Sequence, residues 1–139
     1  MGSLRVVFDT NVLVSAIGFG GTPWDCLVLA FVGDIEMVTT EAAIAEFERV
    51  LGYDRLPFTE AERNQYPALI RAEATVVDPD ESVQMIDDDP DDDLFLETAL
   101  EAEADYIVSG DPHLTDLGVF RDIDIVSPSD FLEEAGARL

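Results

Sequence analysis

Short, mostly apolar runs alternate along the chain with longer stretches in which apolar residues recur at helical spacing. Such runs are typical of strands that are covered on both faces, because these strands need no alternation with polar residues. The pattern predicts five strands, over residues 4–8, 35–38, 75–77, 106–108 and 124–126. It predicts helices over residues 23–32, 41–51, 59–72 and 91–103, and a short last helix after Ser127 and Pro128.

Strands and helices alternate from one end of the sequence to the other. This order predicts an α/β fold in which a parallel five-stranded sheet is sandwiched between helices. The sequence has no internal repeat and no linker long enough to separate two units, so residues 1–139 are expected to form a single domain. In sheets of this kind, function resides at the carboxyl ends of the strands.

Glycine, proline and threonine residues set the expected helix boundaries. Residues 18–22 are rich in glycine and are expected to form a loop, with Thr22 capping the next helix and Pro23 at its first position. Thr59 and Glu62 resemble the capping start of another helix, in which Pro67 is expected to introduce a kink or a break.

The composition excludes several kinds of chemistry. All seven basic residues are arginine, so the sequence cannot use Schiff-base chemistry, a phosphate-loop lysine or the lysine of receiver-type phosphorylation domains. The single cysteine, Cys26, allows neither an internal disulfide nor a zinc cluster, and its apolar surroundings indicate a core residue. No apolar run approaches the roughly 18 residues of a membrane span, and the start of the sequence does not have the form of a signal peptide. A cytoplasmic protein without a membrane association is therefore expected.

The chain is strongly acidic, with 31 Asp and Glu against seven Arg and a formal net charge of −24. This balance argues against ordinary nucleic-acid binding, which needs basic residues at the phosphates. In molar salt, however, the Debye length falls to about 3 Å, and an acidic surface then favours solubility. The composition therefore indicates a salt-adapted intracellular protein of the haloarchaeal type. An acidic tail or a nucleic-acid mimic fits less well, because the acids are spread along the chain.

Two carboxylates directly follow predicted strands. Asp9 stands just beyond the first strand, and Asp111 stands just beyond the fourth, after Ser109 and Gly110. Because the carboxyl ends of parallel strands meet at one edge of the sheet, both side chains are expected at the functional edge. For each residue alone, capping of the next helix or loop is an equally good interpretation.

The acidic run over residues 87–93 contains one position with a distinct environment. A loop starting at Asp87 or Asp89 has neither the glycine nor the glutamate that an EF-hand requires, so most of the run is expected to be solvated. Asp92, in contrast, heads the buried face of the following helix, which also carries Phe95, Leu96, Ala99 and Leu100. A charge on an apolar face needs a partner or a metal.

The helix over residues 41–51 carries a further candidate. Glu46 and Glu48 lie on opposite borders of its apolar face, so periodicity does not choose between them. Together with Asp9, Asp92 and Asp111, either glutamate would complete a carboxylate cluster that only cations can neutralise. Oxygen ligands of this kind favour Mg²⁺ or Mn²⁺, and two such ions can support hydrolysis of a phosphodiester.

Four segments of the chain resemble the motifs of PIN-domain ribonucleases. They follow one another in the family order and at the family spacing, over residues 7–16, 45–51, 92–97 and 104–111. The resemblance is closest to stand-alone PIN proteins of the VapC type, which are the toxins of toxin–antitoxin pairs. It implies a PIN-like fold, an RNA substrate, Mg²⁺ or Mn²⁺ as cofactor, a homodimer and an inhibitory antitoxin.

The resemblance also implies roles for individual residues. Catalytic, metal-binding roles fall on Asp9, Glu46, Asp92 and Asp111, and the motif selects Glu46 over Glu48. Supporting roles fall on three further residues: Asn11 would orient Asp9, Ser109 would lie beside the metal, and Asp93 could exchange roles with Asp92. His113 follows Asp111 and is expected to be a surface residue. The alternative to a ribonuclease is a catalytically silent PIN-fold module that binds RNA or protein, although the presence of all four acids argues against it.

The helix that begins at Pro23 carries more apolar residues than one sheet face readily covers: Trp24, Leu27, Val28, Leu29, Phe31 and Val32. Part of this helix is therefore expected to form a dimer or antitoxin interface. The alternative is that all of it belongs to the core.

We expect the melting temperature and the rate of RNA cleavage to rise as KCl increases from low to molar concentration. The 24 net negative charges repel one another and repel RNA, and salt screens both repulsions. Ordinary nucleic-acid binding shows the opposite trend, because it weakens through counterion release. Thermal melts across a KCl series measure the effect, and a melting temperature that is constant or falls would contradict salt adaptation.

Overall fold

The computed structural model describes residues 4–78 and 90–138, apart from the side chains of residues 90–93, 137 and 138. The strands in this part are β1 (Leu4–Phe8), β2 (Ile35–Thr39), β3 (Thr75–Val76), β4 (Tyr106–Val108), β5 (Val119–Phe120) and β6 (Ile123–Val126). The helices are α1 (Thr10–Phe19), α2 (Gly21–Phe31), α3 (Glu41–Leu51), α4 (Glu60–Glu73), α5 (Pro90–Ala102), α6 (Pro112–Thr115) and α7 (Pro128–Arg138).

The strands form one sheet in the order β3-β2-β1-β4-β6-β5, so β1 and β4 lie at its centre. The pairs β1–β2, β1–β4, β2–β3 and β4–β6 are parallel, which confirms the predicted α/β fold. The sheet has six strands in the described residues, not the five predicted. The additional strand, β5, has two residues and pairs antiparallel with β6 across a turn in which Arg121 and Asp122 have positive φ.

Each face of the sheet has its own apolar core. In β1, Val6 and Phe8 point to one face and Val7 points to the other, as the period of a strand requires. The first face packs against α1, α2, α3 and α7, and Phe131 of α7 makes an edge contact with Tyr106 at 5.2 Å. The second face is covered mainly by α5. Because both faces are buried, Val6, Val7 and Phe8 of β1 are all apolar, without alternation.

The segment expected as a loop at residues 18–22 is instead the junction of two helices. Helix α1 continues to Phe19 and α2 begins at Gly21, so only Gly20 separates them. Gly20 has φ 71, a backbone conformation that favours glycine. Gly20, and not the predicted Thr22, occupies the position before the first residue of α2. No single helix among the described residues is long and apolar enough to cross a membrane; α1 and α2 meet that criterion only together, and they are bent by 101°.

Helix α4 continues past Pro67, so the proline does not break it. Thr59 accepts a hydrogen bond from the amide of Glu62, and the Glu62 side chain accepts one from the amide of Thr59, so the predicted capping box is confirmed. The helix runs through Pro67, which is buried, to Glu73. A proline removes one backbone donor, but the helix retains its capped start and the edge contact of Tyr66 with Phe58 at 6.2 Å.

Cys26 is a core residue, as its apolar surroundings predicted. Its side chain is completely buried, and its Sγ lies 3.3 Å from the carbonyl oxygen of Pro128. Burial raises the pKa of the Cys26 thiol to about 12, and the neighbouring charge of Asp25 adds to the rise. The thiol therefore stays neutral at physiological pH and acts as a packing residue.

Candidate active site

Asp9 lies at the carboxyl end of β1, between the last residue of this strand and the first residue of α1. Its backbone amide extends the parallel pairing by donating to the carbonyl oxygen of Val108 at 3.1 Å. Its side chain caps α1, since Oδ1 accepts a hydrogen bond from the amide of Val12 at 2.8 Å. Only 3% of the residue is exposed. The capping interpretation is thus correct for Asp9, and the same geometry buries a carboxylate at the functional edge.

Ser109 links the carboxylate of Asp9 to the backbone of Asp111. Its hydroxyl donates a hydrogen bond to Oδ2 of Asp9 and accepts one from the backbone amide of Asp111 at 2.9 Å. Ser109 is completely buried, and its own amide donates to the carbonyl oxygen of Val126 in β6 at 2.9 Å. The position of this hydroxyl is therefore fixed by the pairing of β4 with both of its neighbours.

Asp111 lies at the more open side of this arrangement, with 20% of its side chain exposed. It caps the short helix α6, because Oδ1 accepts a hydrogen bond from the amide of His113 at 2.9 Å. The imidazole of His113 is exposed, as expected for a surface residue, and its Nδ1 lies 3.9 Å from Oδ1 of Asp111. Asp9 and Asp111 thus form a pair with one buried and one accessible carboxylate.

The electrostatics of the pair are dominated by burial. The pKa of Asp9 is raised from 3.8 to about 6, mainly by burial and to a smaller extent by the negative charge of Asp111. Hydrogen bonds from Ser109, Val12 and the backbone of Asn11 lower this pKa and offset part of the effect. The side chain of Asn11 is exposed, so the contact seen between Asn11 and Asp9 is made by the backbone.

Glu46 and Glu48 differ in their surroundings. Glu48 is exposed, whereas only 14% of the Glu46 side chain is accessible. Glu46 is held by Arg49, whose Nε lies 3.2 Å from Oε2 and whose Nη2 also binds that oxygen. Arg49 in turn donates from Nη1 to the hydroxyl of Tyr53 at 2.6 Å. The carboxylate selected by the motif is thus half-buried and paired within its own helix.

Asp92 and Asp93 lie in the first turn of α5, which begins at Pro90, but their side chains are outside the described part. The predicted buried face of this helix is confirmed at Phe95, Leu96 and Ala99. Among the predicted site residues, the structure brings together Asp9, Ser109 and Asp111. The described side chains contain no group of three or more His, Cys, Asp or Glu residues arranged to hold a metal ion.

Comparison with known proteins identifies the family. A family model described as PIN domain matches residues 5–113. The chain belongs to the PIN-domain family. Among solved structures it is similar to VapBC2 from Rickettsia felis bound to a DNA fragment from their promoter, with a TM-score of 0.61 and 11% identity over 88% of this chain and 97% of that one. No curated protein matches the chain.

The match to the PIN-domain model runs from β1 to the start of α6. It confirms the family that the sequence motifs resembled, and it contains all four acids predicted to bind metal. The similarity to the solved structure, at 11% identity, supports the fold alone. The catalytic roles of Asp9, Glu46, Asp92 and Asp111 stay predictions.

Two buried threonines of this PIN domain connect helices that carry predicted site residues. Thr40 caps α3 by accepting a hydrogen bond from the amide of Ala43 at 3.1 Å, and its Oγ1 lies 3.4 Å from Oγ1 of Thr98 in α5. Thr98 donates to the carbonyl oxygen of Leu94 at 2.8 Å, so Thr40 is the donor between the two hydroxyls. This contact fixes α5 against the start of α3. Sequence reasoning missed Thr98, because one threonine within an apolar helix is a weak signal.

Thr10 is a second residue that the sequence did not single out. It follows Asp9 directly, it is buried, and its Oγ1 has no hydrogen-bond partner among the described residues. A buried hydroxyl without a partner costs free energy, so it requires a reason. Its place at the start of α1, beside the buried carboxylate, makes it part of the same polar region.

We expect Asp9→Asn to stabilise the metal-free protein at neutral pH but not near pH 4. Because the pKa of Asp9 is higher in the folded chain than in the unfolded chain, the folded state gains stability below pH 3.8 and loses it as the pH rises to about 6. The loss is about 3 kcal/mol at neutral pH, and asparagine, which cannot ionise, avoids it. The melting temperature of Asp9→Asn should exceed that of the wild type by roughly 5–10 °C at pH 7.

Asp54→Asn is the matched control, since Asp54 is exposed and the substitution removes the same charge. Its difference from the wild type should not change between pH 4 and pH 7. The measurement is a pair of thermal melts in molar KCl with EDTA. A pH-independent difference for Asp9→Asn would show that Asp9 does not carry the raised pKa.

Proposed function

We propose that this PIN domain is a metal-dependent endoribonuclease that hydrolyses RNA phosphodiester bonds, and that it is the toxin of a toxin–antitoxin pair. The observation that carries the proposal is the arrangement of Asp9, Ser109 and Asp111 at the carboxyl edge of the central strands. PIN domains are generally nucleases, and family membership therefore favours this chemistry over other uses of a carboxylate pair.

The residues of this edge fit a hard divalent cation. The carboxylates of Asp9 and Asp111 repel each other, and the raised pKa of Asp9 reflects mainly the cost of burying its charge. Asp9 and Asp111, with Glu46 and Asp92, would hold the ion, and a set of oxygen ligands favours Mg²⁺ or Mn²⁺. Bound there, such ions would activate the attacking water and stabilise the leaving oxygen of the phosphodiester.

The residues around Asp9 determine the orientation and the charge of its carboxylate. Ser109 and the first amides of α1 hold the carboxylate of Asp9 in one orientation before any ligand arrives. Because the pKa of Asp9 is about 6, its carboxylate is mostly ionised at neutral pH and can bind a cation. Arg49 binds Oε2 of the half-buried Glu46, so a cation at Glu46 would share this carboxylate with Arg49 or replace it.

The toxin assignment rests on the motifs that resemble VapC-type proteins. The similar solved structure is that of VapBC2, which was bound to promoter DNA. For this chain we infer a small protein antitoxin as partner, because a cleft lined by carboxylates is a good target for an arginine from another chain. A catalytically silent module that binds RNA or protein is the outcome that an activity assay must exclude.

We expect Asp9→Asn and Asp92→Asn each to reduce metal-dependent cleavage of single-stranded RNA by orders of magnitude. Both substitutions preserve the shape of the side chain and remove a negative charge that would hold the cation. The assay is cleavage of labelled RNA in molar KCl with Mg²⁺ or Mn²⁺, compared with the same reaction in EDTA.

Neighbouring acids provide the control. Asp88→Asn and Asp91→Asn remove the same charge from the acidic run and should have much smaller effects than Asp92→Asn. Equal effects of the three substitutions would mean that the acidic run contributes only its overall negative charge. Cleavage at the wild-type rate by folded Asp9→Asn would refute the catalytic assignment, and no cleavage by the wild type would favour the silent module.

The proposed homodimer is supported by exposed apolar side chains at α1 and α2. Within α2, Cys26, Leu27 and Ala30 are buried, so part of the helix belongs to the core. Other apolar residues of this region remain exposed: Phe19 at 72%, Trp24 at 38% and Val32 at 64%. The interpretation that the whole helix is core is therefore wrong, and the exposed residues are available to a partner.

We expect light scattering with size-exclusion chromatography in molar KCl to give twice the chain mass of 15.2 kDa. Val32→Asp should shift the protein to the monomer, because it places a charge in the apolar interface. Val119→Asp is the control, since Val119 is 60% exposed in β5, away from this surface, and it should leave the dimer intact. A wild-type protein that is monomeric across micromolar concentrations would reject the dimer.

A further inference from the structure

Arginine is scarce in this chain, so the position of each guanidinium group is informative. The acids outnumber the arginines by 31 to seven. Three arginines of the described residues form ion pairs with glutamates: Arg5 with Glu36, Arg49 with Glu46, and Arg71 with Glu41. Pairing is the expected outcome when carboxylates are this abundant.

Like Arg121, whose guanidinium carbon lies 5.3 Å from the centre of the Phe120 ring, Arg55 contacts an aromatic ring. It is exposed, and it makes no ion pair with any carboxylate in the described part of the chain. Its guanidinium carbon instead lies 4.8 Å from the centre of the Tyr53 ring. Arg55 therefore rests on an aromatic face although acidic side chains surround it in the sequence.

Tyr53 provides a rigid base for this contact. Its ring packs against the apolar core, and its hydroxyl accepts a hydrogen bond from Arg49 at 2.6 Å. The guanidinium carbon of Arg49 lies 5.7 Å from the same ring. A continuous series of contacts thus connects Glu46, through Arg49 and Tyr53, to Arg55.

We propose that Arg55, supported by Tyr53, is a stacking site for nucleobases of single-stranded RNA, connected to the candidate site residue Glu46 through Arg49. This inference rests on the proposed function, because it assigns a binding surface to the proposed RNA substrate. A guanidinium plane accepts an unstacked base on its open face, and Tyr53 holds that plane in place before RNA arrives.

The salt-adapted composition favours stacking over phosphate pairing. Ion pairs with phosphates weaken steeply as salt rises, and in this chain the net charge of −24 opposes them further. Stacking of bases forms no ion pair with a phosphate and tolerates any sequence, since every base has a π face. In a chain with few basic residues, planar contacts are therefore the expected source of RNA affinity at high salt.

The environment of Arg55 also favours RNA over an acidic protein partner. An arginine that binds carboxylates has possible partners within this chain, such as the exposed side chains of Glu48 and Asp54. The structure pairs Arg55 with a π face instead. A planar, aromatic ligand extends that contact, whereas a carboxylate would replace it.

The test is the binding of a fluorescently labelled, single-stranded RNA of mixed sequence to the full chain in molar KCl with EDTA, which prevents metal-dependent cleavage. Fluorescence anisotropy should show that Arg55→Ala raises the Kd about tenfold, in line with the loss of one stacked base. Arg55→Lys preserves the charge but not the plane, so it should bind as weakly as Arg55→Ala.

Arg71→Ala is the matched control, because it removes an exposed, ion-paired arginine on α4 and should leave the Kd unchanged. A duplex of the same sequence has no free bases, so the effect of Arg55→Ala should disappear with it. The stacking site would be refuted by an unchanged Kd for Arg55→Ala, by full recovery in Arg55→Lys, or by an equal effect on duplex RNA.

The two proposals can fail separately. RNA binding that depends on Arg55, in a chain that does not cleave RNA with Mg²⁺ or Mn²⁺, would support the stacking site and refute the nuclease. Cleavage by the wild type, with no effect of Arg55→Ala on Kd, would support the nuclease and refute the stacking site. Absence of RNA binding by the wild-type chain would overturn the stacking site.

Discussion

The parallel pairing of β1 with β4 is the constraint on which the candidate site depends. It aligns Phe8 with Val108, so the next residue of each strand, Asp9 and Ser109, emerges at the same level of the sheet. The backbone amide of Asp9 continues this pairing, and the hydroxyl of Ser109 donates a hydrogen bond to the carboxylate of Asp9. Two residues that are a hundred positions apart thus meet because the strands are in register.

This geometry holds a carboxylate where its charge is unfavourable. The amides of α1 and the hydroxyl of Ser109 stabilise the ionised form of Asp9, yet burial still raises its pKa to about 6. A carboxylate that served only as a helix cap would be as effective at the surface, where ionisation costs nothing. Burial thus destabilises the metal-free chain at neutral pH, and a cation bound by Asp9 and Asp111, as proposed, would offset that cost.

The sequence predicted the fold and the ends of the central strands, because both depend on local pattern. Strand ends placed Asp9 and Asp111 at one edge, and periodicity placed Phe95 and Leu96 in the core. The sequence could not reveal the hydrogen bond between Ser109 and Asp9, or that between Thr40 and Thr98, since both join residues that are far apart in the sequence. It placed a loop at residues 18–22, where a single glycine, Gly20, suffices for the bend, and it missed β5, which is too short to show a period.

The distribution of the arginines connects the acidic composition to the site. Arg49 binds Oε2 of Glu46, so the chain itself supplies a cation to a carboxylate that the motif assigns to metal binding. The same arginine donates to the hydroxyl of Tyr53, and the Tyr53 ring supports Arg55. In a chain with 31 acids and seven arginines, Arg49 thus connects the proposed metal ligand Glu46 to the proposed stacking site at Arg55 without additional basic residues.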